Sequence, residues 1–152
     1  MSNIGQFLGE DHRHCDEYFL VAERAVAAHD WDTARQSLHD FRHAIERHLA
    51  MEEQVLFIAY EAFAGAAGPS QVMRREHEQM RGLFSDLTRA LERRVGAEFL
   101  SLSETLLVLM RQHNMKEEQI LYPLCDRLLV PERDDLIARM RRIQVQSTLD
   151  PV

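Results

Sequence analysis

Four long segments of the chain carry apolar residues at every third or fourth position, which is the spacing of one face of a helix. The segments are rich in good helix formers and are separated by short breaks with glycine, proline or a capping aspartate. The predicted helices lie at about 4–28 (helix A), 31–63 (helix B), 70–93 (helix C), 97–128 (helix D) and 132–145 (a short fifth helix). Residues 146–152 are expected to fray.

The four stripes predict an all-α fold, because no segment shows the alternation of apolar and polar residues that strands need. Short connections between amphipathic helices favour an antiparallel up-down four-helix bundle with a short C-terminal helix, in a single domain over residues 1–152. Each stripe is interrupted only by histidine, or by histidine and glutamate. After the glutamate of helix D, the stripe is predicted to continue through Ile120 and Leu124. Ile58 of helix B stands where helix D has Pro123, so helix B is expected to continue without a kink.

The chain contains an internal repeat with an offset of 65 residues. This shift aligns Asp11-His12 with Glu76-His77, His48 with His113, Glu52-Glu53 with Glu117-Glu118, and Leu56-Phe57 with Leu121-Tyr122. Each half therefore carries an acid-histidine pair on its first helix and the pattern HxxxEE on its second. Because neither helical hairpin closes its own core, a pseudo-two-fold axis is expected to bring four histidines and two glutamates together.

Histidine and glutamate four residues apart project from the same face of a helix. The pairs with this spacing are His48 with Glu52 and His113 with Glu117, while His12 and His77 come from the other two helices. Two buried carboxylates without a counter-charge would each cost several kcal/mol or would take up protons. A bound cation removes this cost, and imidazole with carboxylate is a ligand set for iron, manganese or zinc.

The pseudo-symmetry predicts two metal ions, for which a solvent-derived oxo or hydroxo group would be a third bridge. Each ion would take two histidines, either one from each helix of a hairpin or one from each hairpin, and the glutamates would bridge. About five ligands per ion leave a position for an exogenous molecule, and such open positions distinguish reactive sites from structural ones. For a redox pair, that molecule is dioxygen, peroxide or nitric oxide.

The acidic, tyrosine and histidine residues outside the predicted ligand set are assigned to hydrogen bonding, to packing or to the surface. Asp11 and Glu76 are expected either to accept a hydrogen bond from a ligand histidine on another helix or to lie on the surface, whereas Glu53 and Glu118 are expected to face outward. Tyr122 is interpreted as a packing residue, with hydrogen-bond donation to a bridge or to bound oxygen as the alternative. The remaining histidines have no histidine partner at the repeat offset and are predicted to lie on the surface: His14, His29, His39 and His43.

Composition disfavours other classes of function. The net charge of −7 argues against a nucleic-acid surface, which requires a basic face. No apolar run approaches the roughly 20 residues that span a bilayer, and no secretory signal is visible at the N-terminus. Cys15 and Cys125 form neither a CxxC motif nor a disulfide framework, so the cytoplasm is the expected compartment. Cys15 is interpreted as a core residue.

These motifs resemble those of the hemerythrin-like (HHE cation-binding) domain over about residues 8–128. The resemblance implies a four-helix bundle that holds a carboxylate-bridged di-iron centre. The ligands that it implies are His12, His48, Glu52, His77, His113 and Glu117.

The chain departs from the oxygen-carrying members of this family at two places. Met73 stands where those proteins have a second histidine, and the last helix carries HxxxE instead of HxxxxD. The resulting set of four histidines and two glutamates is more similar to the di-iron domain of iron–sulfur-cluster repair proteins. The departures argue against simple reversible oxygen carriage.

The expected function is therefore the binding of dioxygen or nitric oxide for sensing, buffering or a stress response. The alternatives are an iron-supplying repair protein for damaged iron–sulfur clusters and a di-iron oxidase or peroxidase, so enzymatic turnover stays open. A protein partner for signal or iron transfer is expected. A helical domain that holds zinc or no metal is the least demanding alternative.

Overall fold

The computed structural model describes residues 2–145, and every regular element in this part of the chain is helical. The α-helices are α1 (Ile4–Ala27), α2 (Trp31–Met51), α3 (Phe57–Ala64), α4 (Pro69–Glu92), α5 (Gly96–Lys116), α6 (Tyr122–Leu128) and α7 (Arg133–Arg141). Two π-helical segments, Glu52–Leu56 and Glu117–Leu121, and a 3₁₀ turn, Val130–Glu132, complete the helical structure. The predicted all-α class is confirmed. The expected fraying of residues 146–152 concerns residues outside the described part of the chain.

The helix starts follow from local capping chemistry. Before α1, the Asn3 side chain accepts a hydrogen bond from the Gln6 amide, and the Gln6 side chain accepts one from the Asn3 amide. Before α2, Asp30 accepts from the Thr33 amide, as expected for the predicted cap. Gly68 adopts φ 118°, which a side chain would disfavour, and Pro69 then begins α4.

Helices B and D share a feature that the sequence analysis did not predict. Each is divided by a π-helical segment that begins at the glutamate of the HxxxE pair, and the two segments lie exactly one repeat apart. The amide of Phe57 donates to the Glu52 carbonyl, and that of Tyr122 donates to the Glu117 carbonyl, five residues back. Because the segment occurs with Ile58 as well as with Pro123, the proline is not its cause.

The π-helical segments rotate the residues that follow them. An i+5 residue of a regular α-helix lies about 140° from residue i, whereas an i→i+5 hydrogen bond returns it to nearly the same face. Tyr122 is therefore buried, while the predicted core residue Ile120 is 57% exposed and Leu124 is only partly buried. Such segments often mark functional sites.

The predicted fifth helix is shorter than expected, because α7 ends at Arg141. The guanidinium of Arg47 in α2 donates to the backbone carbonyls of Arg141 and Ile143. Leu136 and Met140 of α7 are buried in the apolar cluster that contains Tyr122. Packing and these hydrogen bonds together hold α7 against the rest of the protein.

The core consists of two apolar clusters with a polar layer between them. The first cluster is centred on the phenylalanines Phe19, Phe41, Phe84 and Phe99. The second includes Ile4, Leu8, Leu56, Phe57, Met73 and Tyr122. Along α1, for example, His12 lies between Leu8 of the second cluster and Cys15 of the first. Among residues 2–145, no helix has the length and apolar content that crossing a bilayer requires.

Candidate metal centre

The polar layer consists of the six side chains predicted as metal ligands. α1 contributes one histidine, α4 a second, and the HxxxE pairs stand where α2 and α5 meet their π-helical segments. All six are at most 3% exposed: His12, His48, Glu52, His77, His113 and Glu117. The structure therefore brings together every one of the residues singled out by the repeat.

The donor atoms form two groups, in each of which all atoms lie within 4.8 Å of one another. One group contains Glu52, His77, His113 and Glu117, and the other contains His12, His48 and Glu117. Each histidine pair comes from one half of the chain, with ring centroids 4.4 Å apart in the first half and 4.9 Å apart in the second. Glu117 belongs to both groups. We call the place of the group with His12 and His48 the first position, and the place of the group with His77 and His113 the second position.

Four buried donor atoms of this layer have no hydrogen-bond partner among the described residues. They are Glu52 Oε1, His77 Nε2, His113 Nε2 and Glu117 Oε2. The Nε2 atoms do approach carboxylate oxygens, 3.2 Å for His77 to Glu52 and 3.2 Å for His113 to Glu117, but without hydrogen-bond geometry. Unpartnered buried polar atoms are costly, so their convergence from four elements fits a cation-binding site.

The two glutamates ionise differently. Burial raises the pKa of Glu52, and the neighbouring Glu117 raises it further. Burial also opposes ionisation of Glu117, but the neighbouring carboxyl of Glu52 and the charge of His113 bring its pKa well below the ordinary value. Without a metal, one carboxyl therefore tends to hold a proton while the other is ionised, as expected when two carboxyls share a buried site.

The histidines balance the buried negative charge. Burial lowers the pKa of His12, but hydrogen bonds to Glu117 and Glu118 outweigh this effect and raise the pKa to about 10. Burial likewise opposes the charged form of His77, and hydrogen bonds to the neighbouring glutamates raise its pKa to about 11. In the metal-free cluster, protons on the histidines supply the positive charge that the carboxylates require.

Each histidine directs its Nδ1 atom away from the cluster toward a carboxylate on another element. The distances are 2.8 Å from His48 to Asp11, 2.9 Å from His113 to Glu76, 2.7 Å from His77 to Glu53 and 2.9 Å from His12 to Glu118. Because ionised carboxylates accept hydrogen bonds, Nδ1–H donates and Nε2 faces the shared interior. Such carboxylates orient metal-binding imidazoles.

These contacts follow the repeat and refine one prediction. Asp11 and Glu76 each serve a histidine within their own half, which is the first of the two alternatives considered for them. Glu53 and Glu118 were expected to face outward. Glu118 is exposed, as expected, whereas Glu53 is only partly exposed, and each accepts a hydrogen bond from a histidine of the opposite half. The side chains flank the packed face of their helix, where they reach the neighbouring helix.

Two of the outer carboxylates are themselves held by cations. The guanidinium of Arg81 donates to both oxygens of Glu53, at 2.8 and 3.0 Å, and the ammonium of Lys116 donates to Glu76. Burial opposes the ionisation of Glu53, but hydrogen bonds from His77 and Arg81 lower its pKa to about 2. Both carboxylates thus stay ionised and hold the imidazoles in place.

Glu53→Ala is expected to weaken metal binding about 10- to 100-fold, because His77 loses the acceptor that orients its ring. Competition with a chelator measures this change. Glu78→Ala is the matched control, since the Glu78 carboxylate also binds Arg81 but is largely exposed and makes no hydrogen bond with the His77 imidazole. Equal affinities in the two variants would contradict the assigned role of Glu53.

The structure adds Tyr122 to the site, where sequence interpretation placed it among the packing residues. Its hydroxyl lies 2.7 Å from Glu52 Oε2 and 2.9 Å from Glu117 Oε1. Burial and the two carboxylates raise the pKa of Tyr122 well above its ordinary value, so the phenol is neutral in the metal-free cluster. Its spacing of five residues from Glu117 gave no signal, because α-helical periodicity places residue i+5 on another face.

The remaining histidines and cysteines lie outside the two donor groups. His14, His39 and His43 line a surface groove together with Asp40 and the outer face of Asp11. His29 is exposed at the end of α1, beside Trp31. Cys15 and Cys125 are free thiols in the apolar clusters, as predicted for Cys15, and burial raises the pKa of both.

Comparison with known proteins identifies one family. The model of the hemerythrin HHE cation-binding domain matches residues 3–125, which include all six residues of the polar layer. No significant match was found among curated proteins or among solved structures.

Proposed function

Because the chain belongs to the hemerythrin HHE cation-binding family, we propose that it is a non-haem di-iron protein that binds dioxygen or nitric oxide. The binding would serve sensing, buffering or a stress response. The observation that carries this proposal is the pair of buried donor groups that share Glu117. Two adjacent cations would satisfy the unpartnered atoms of the layer and balance its carboxylates.

In this proposal the six buried side chains are the protein ligands. His12 and His48 would bind one ion and His77 and His113 the other, and the proposed bridges are Glu52 and Glu117. Of these two, Glu117 belongs to both donor groups. The orientation of the imidazoles supports this assignment, because each Nδ1 already donates to a carboxylate and only Nε2 remains for a metal ion.

Iron is the proposed metal, although the same nitrogen and oxygen donors also bind manganese or zinc. A pair of iron ions would supply redox chemistry and open coordination positions, with a solvent-derived oxo or hydroxo group as a further bridge. The residues of the chain have a separate task. They orient the imidazoles, balance the charge and exclude bulk water from the site.

The proposed ligand is diatomic because the layer lies between two apolar clusters and its side chains are at most 3% exposed. A bulky substrate would have to displace packed side chains, whereas a diatomic molecule has to occupy only a coordination position. Redox-active iron with an open position binds such molecules.

The proposal includes the finer architecture, an antiparallel four-helix bundle in one domain over residues 1–152. Only residues 28–30 connect α1 to α2, and only residues 93–95 connect α4 to α5. Connections this short join antiparallel neighbours. The proposal also includes a cytoplasmic location, in keeping with two free thiols, and a protein partner that receives the signal or the iron.

Stopped-flow mixing of the reduced, iron-loaded protein with dioxygen and with nitric oxide tests this function. A spectroscopically stable adduct with either gas is expected. Release of iron to an apo iron–sulfur protein would instead favour repair, and repeated turnover of peroxide would favour an enzyme. The absence of any spectral change with both gases would contradict the proposal.

A further inference from the structure

Tyr122 and Phe57 occupy equivalent places one repeat apart. The two positions therefore differ in the aromatic side chain beside them, which is tyrosine at the first position and phenylalanine at the second. The ring of Tyr122 stacks on His12 with centroids 5.8 Å apart and 23° between planes. The ring of Phe57 stacks on His77 with centroids 5.6 Å apart and 24° between planes. The rings are placed alike, so the first position has a hydroxyl group beside it where the second position has a ring hydrogen.

The hydroxyl oxygen of Tyr122 lies among the donor atoms of the first position. It is 3.3 Å from His12 Nε2, 3.5 Å from His48 Nε2 and 2.9 Å from Glu117 Oε1. Two atoms bound to one ion at about 2.1 Å lie about 3.0 Å apart at a right angle and about 3.4 Å apart at a tetrahedral angle. The spacing of the phenol oxygen from these atoms is thus that of a fellow ligand.

The two positions also differ in the donors available to them. The second position has four side chains with convergent donor atoms, and the first has three. All four atoms left without a hydrogen-bond partner belong to side chains of the second group, whereas the donor atoms of the first group are all in contact with the Tyr122 hydroxyl. The phenol oxygen therefore fills the place of the missing fourth donor.

We propose that Tyr122 is a further metal ligand, binding the ion of the first position through its phenolate oxygen. This inference rests on the proposed di-iron function and makes the two ions inequivalent. On binding, the phenol O–H bond breaks, an oxygen–metal bond forms and the proton leaves to solvent. A coordinating cation favours this loss of the proton, as it does for bound thiols and water. The second position, with Phe57 beside it, keeps the open place for the exogenous molecule.

Optical and resonance Raman spectra of the oxidised, iron-loaded protein test the inference. A phenolate bound to ferric iron gives an intense visible charge-transfer band and enhanced phenolate ring vibrations. Neither oxo bridges nor imidazoles give these ring vibrations. The wild type is expected to show both signals. Tyr122→Phe is expected to lose both while retaining its iron, and Phe57 shows that phenylalanine is accommodated at this kind of place.

Tyr60→Phe is the matched control, because Tyr60 is also buried in the second apolar cluster but contacts none of the six residues of the layer through its hydroxyl. This variant is expected to keep both signals. Wild-type protein with two irons and no phenolate signal, or a signal that persists in Tyr122→Phe, would overturn the assignment of Tyr122 and leave the di-iron centre intact. Wild-type protein without iron would overturn both.

Discussion

Replacing Glu117 by alanine is expected to reduce the metal content from two ions per chain to less than one. Glu117 is the one side chain whose carboxylate belongs to both donor groups, and it is completely buried. Without it, the Nε2 atoms of His12 and His113 lose the carboxylate oxygen that lies 3.1 and 3.2 Å away. Two cations would then face each other across the layer with half of the buried counter-charge removed, which is strongly unfavourable.

Metal analysis after loading with a defined excess of iron measures this effect, with circular dichroism to verify that the variant is folded. His39→Ala serves as the control, because His39 lies in the surface groove outside both donor groups, and it should retain two ions. Retention of two ions by Glu117→Ala would show that the carboxylate does not bridge. Equal loss in both variants would point to a nonspecific effect on the fold.

Without metal, the free energy of unfolding is expected to fall as the pH rises from about 6.5 to about 10. The pKa of His12 is raised to about 10 and that of His77 to about 11, against about 6.5 in the unfolded chain. A raised folded-state pKa contributes stability that is fully present below the unfolded value and is lost as the pH passes through the folded value. For these two histidines the loss amounts to several kcal/mol.

The metal-loaded protein should not show this decline, because ions replace the protons on the histidines. Metal binding should also tighten as the pH rises, since fewer protons must be displaced, and it should raise the melting temperature. Urea unfolding of both forms across the pH range provides the measurement. Parallel curves for the two forms would contradict the assignment of the histidine protons to the metal site.

The sequence predicted the six residues of the layer because two periodicities agree. The spacing of four residues places His48 beside Glu52 on one helix face, and the offset of 65 residues repeats the arrangement in the second half. Both regularities depend on backbone geometry that a sequence reveals directly. The convergence of all six side chains follows from these patterns once the helices pack around a common core.

Tyr122 and the outer glutamates could not be predicted in the same way. Nothing in the composition of Glu117–Leu121 distinguishes it from an α-helix, so the π-helical hydrogen bond that turns Tyr122 into the site has no local signature. Glu53 and Glu118 contact histidines on helices of the opposite half. The sequence of one helix shows which face a residue lies on, but it does not show which neighbouring helix packs against that residue. A comparison of Phe57 with Tyr122 across the repeat was the available clue.

Iron quantification on protein purified from iron-replete cells tests the central claim most directly. We expect two iron ions per chain, because two buried donor groups share Glu117 and leave four donor atoms without a hydrogen-bond partner. Protein that is folded but carries no stoichiometric transition metal, or only one ion per chain, would contradict it.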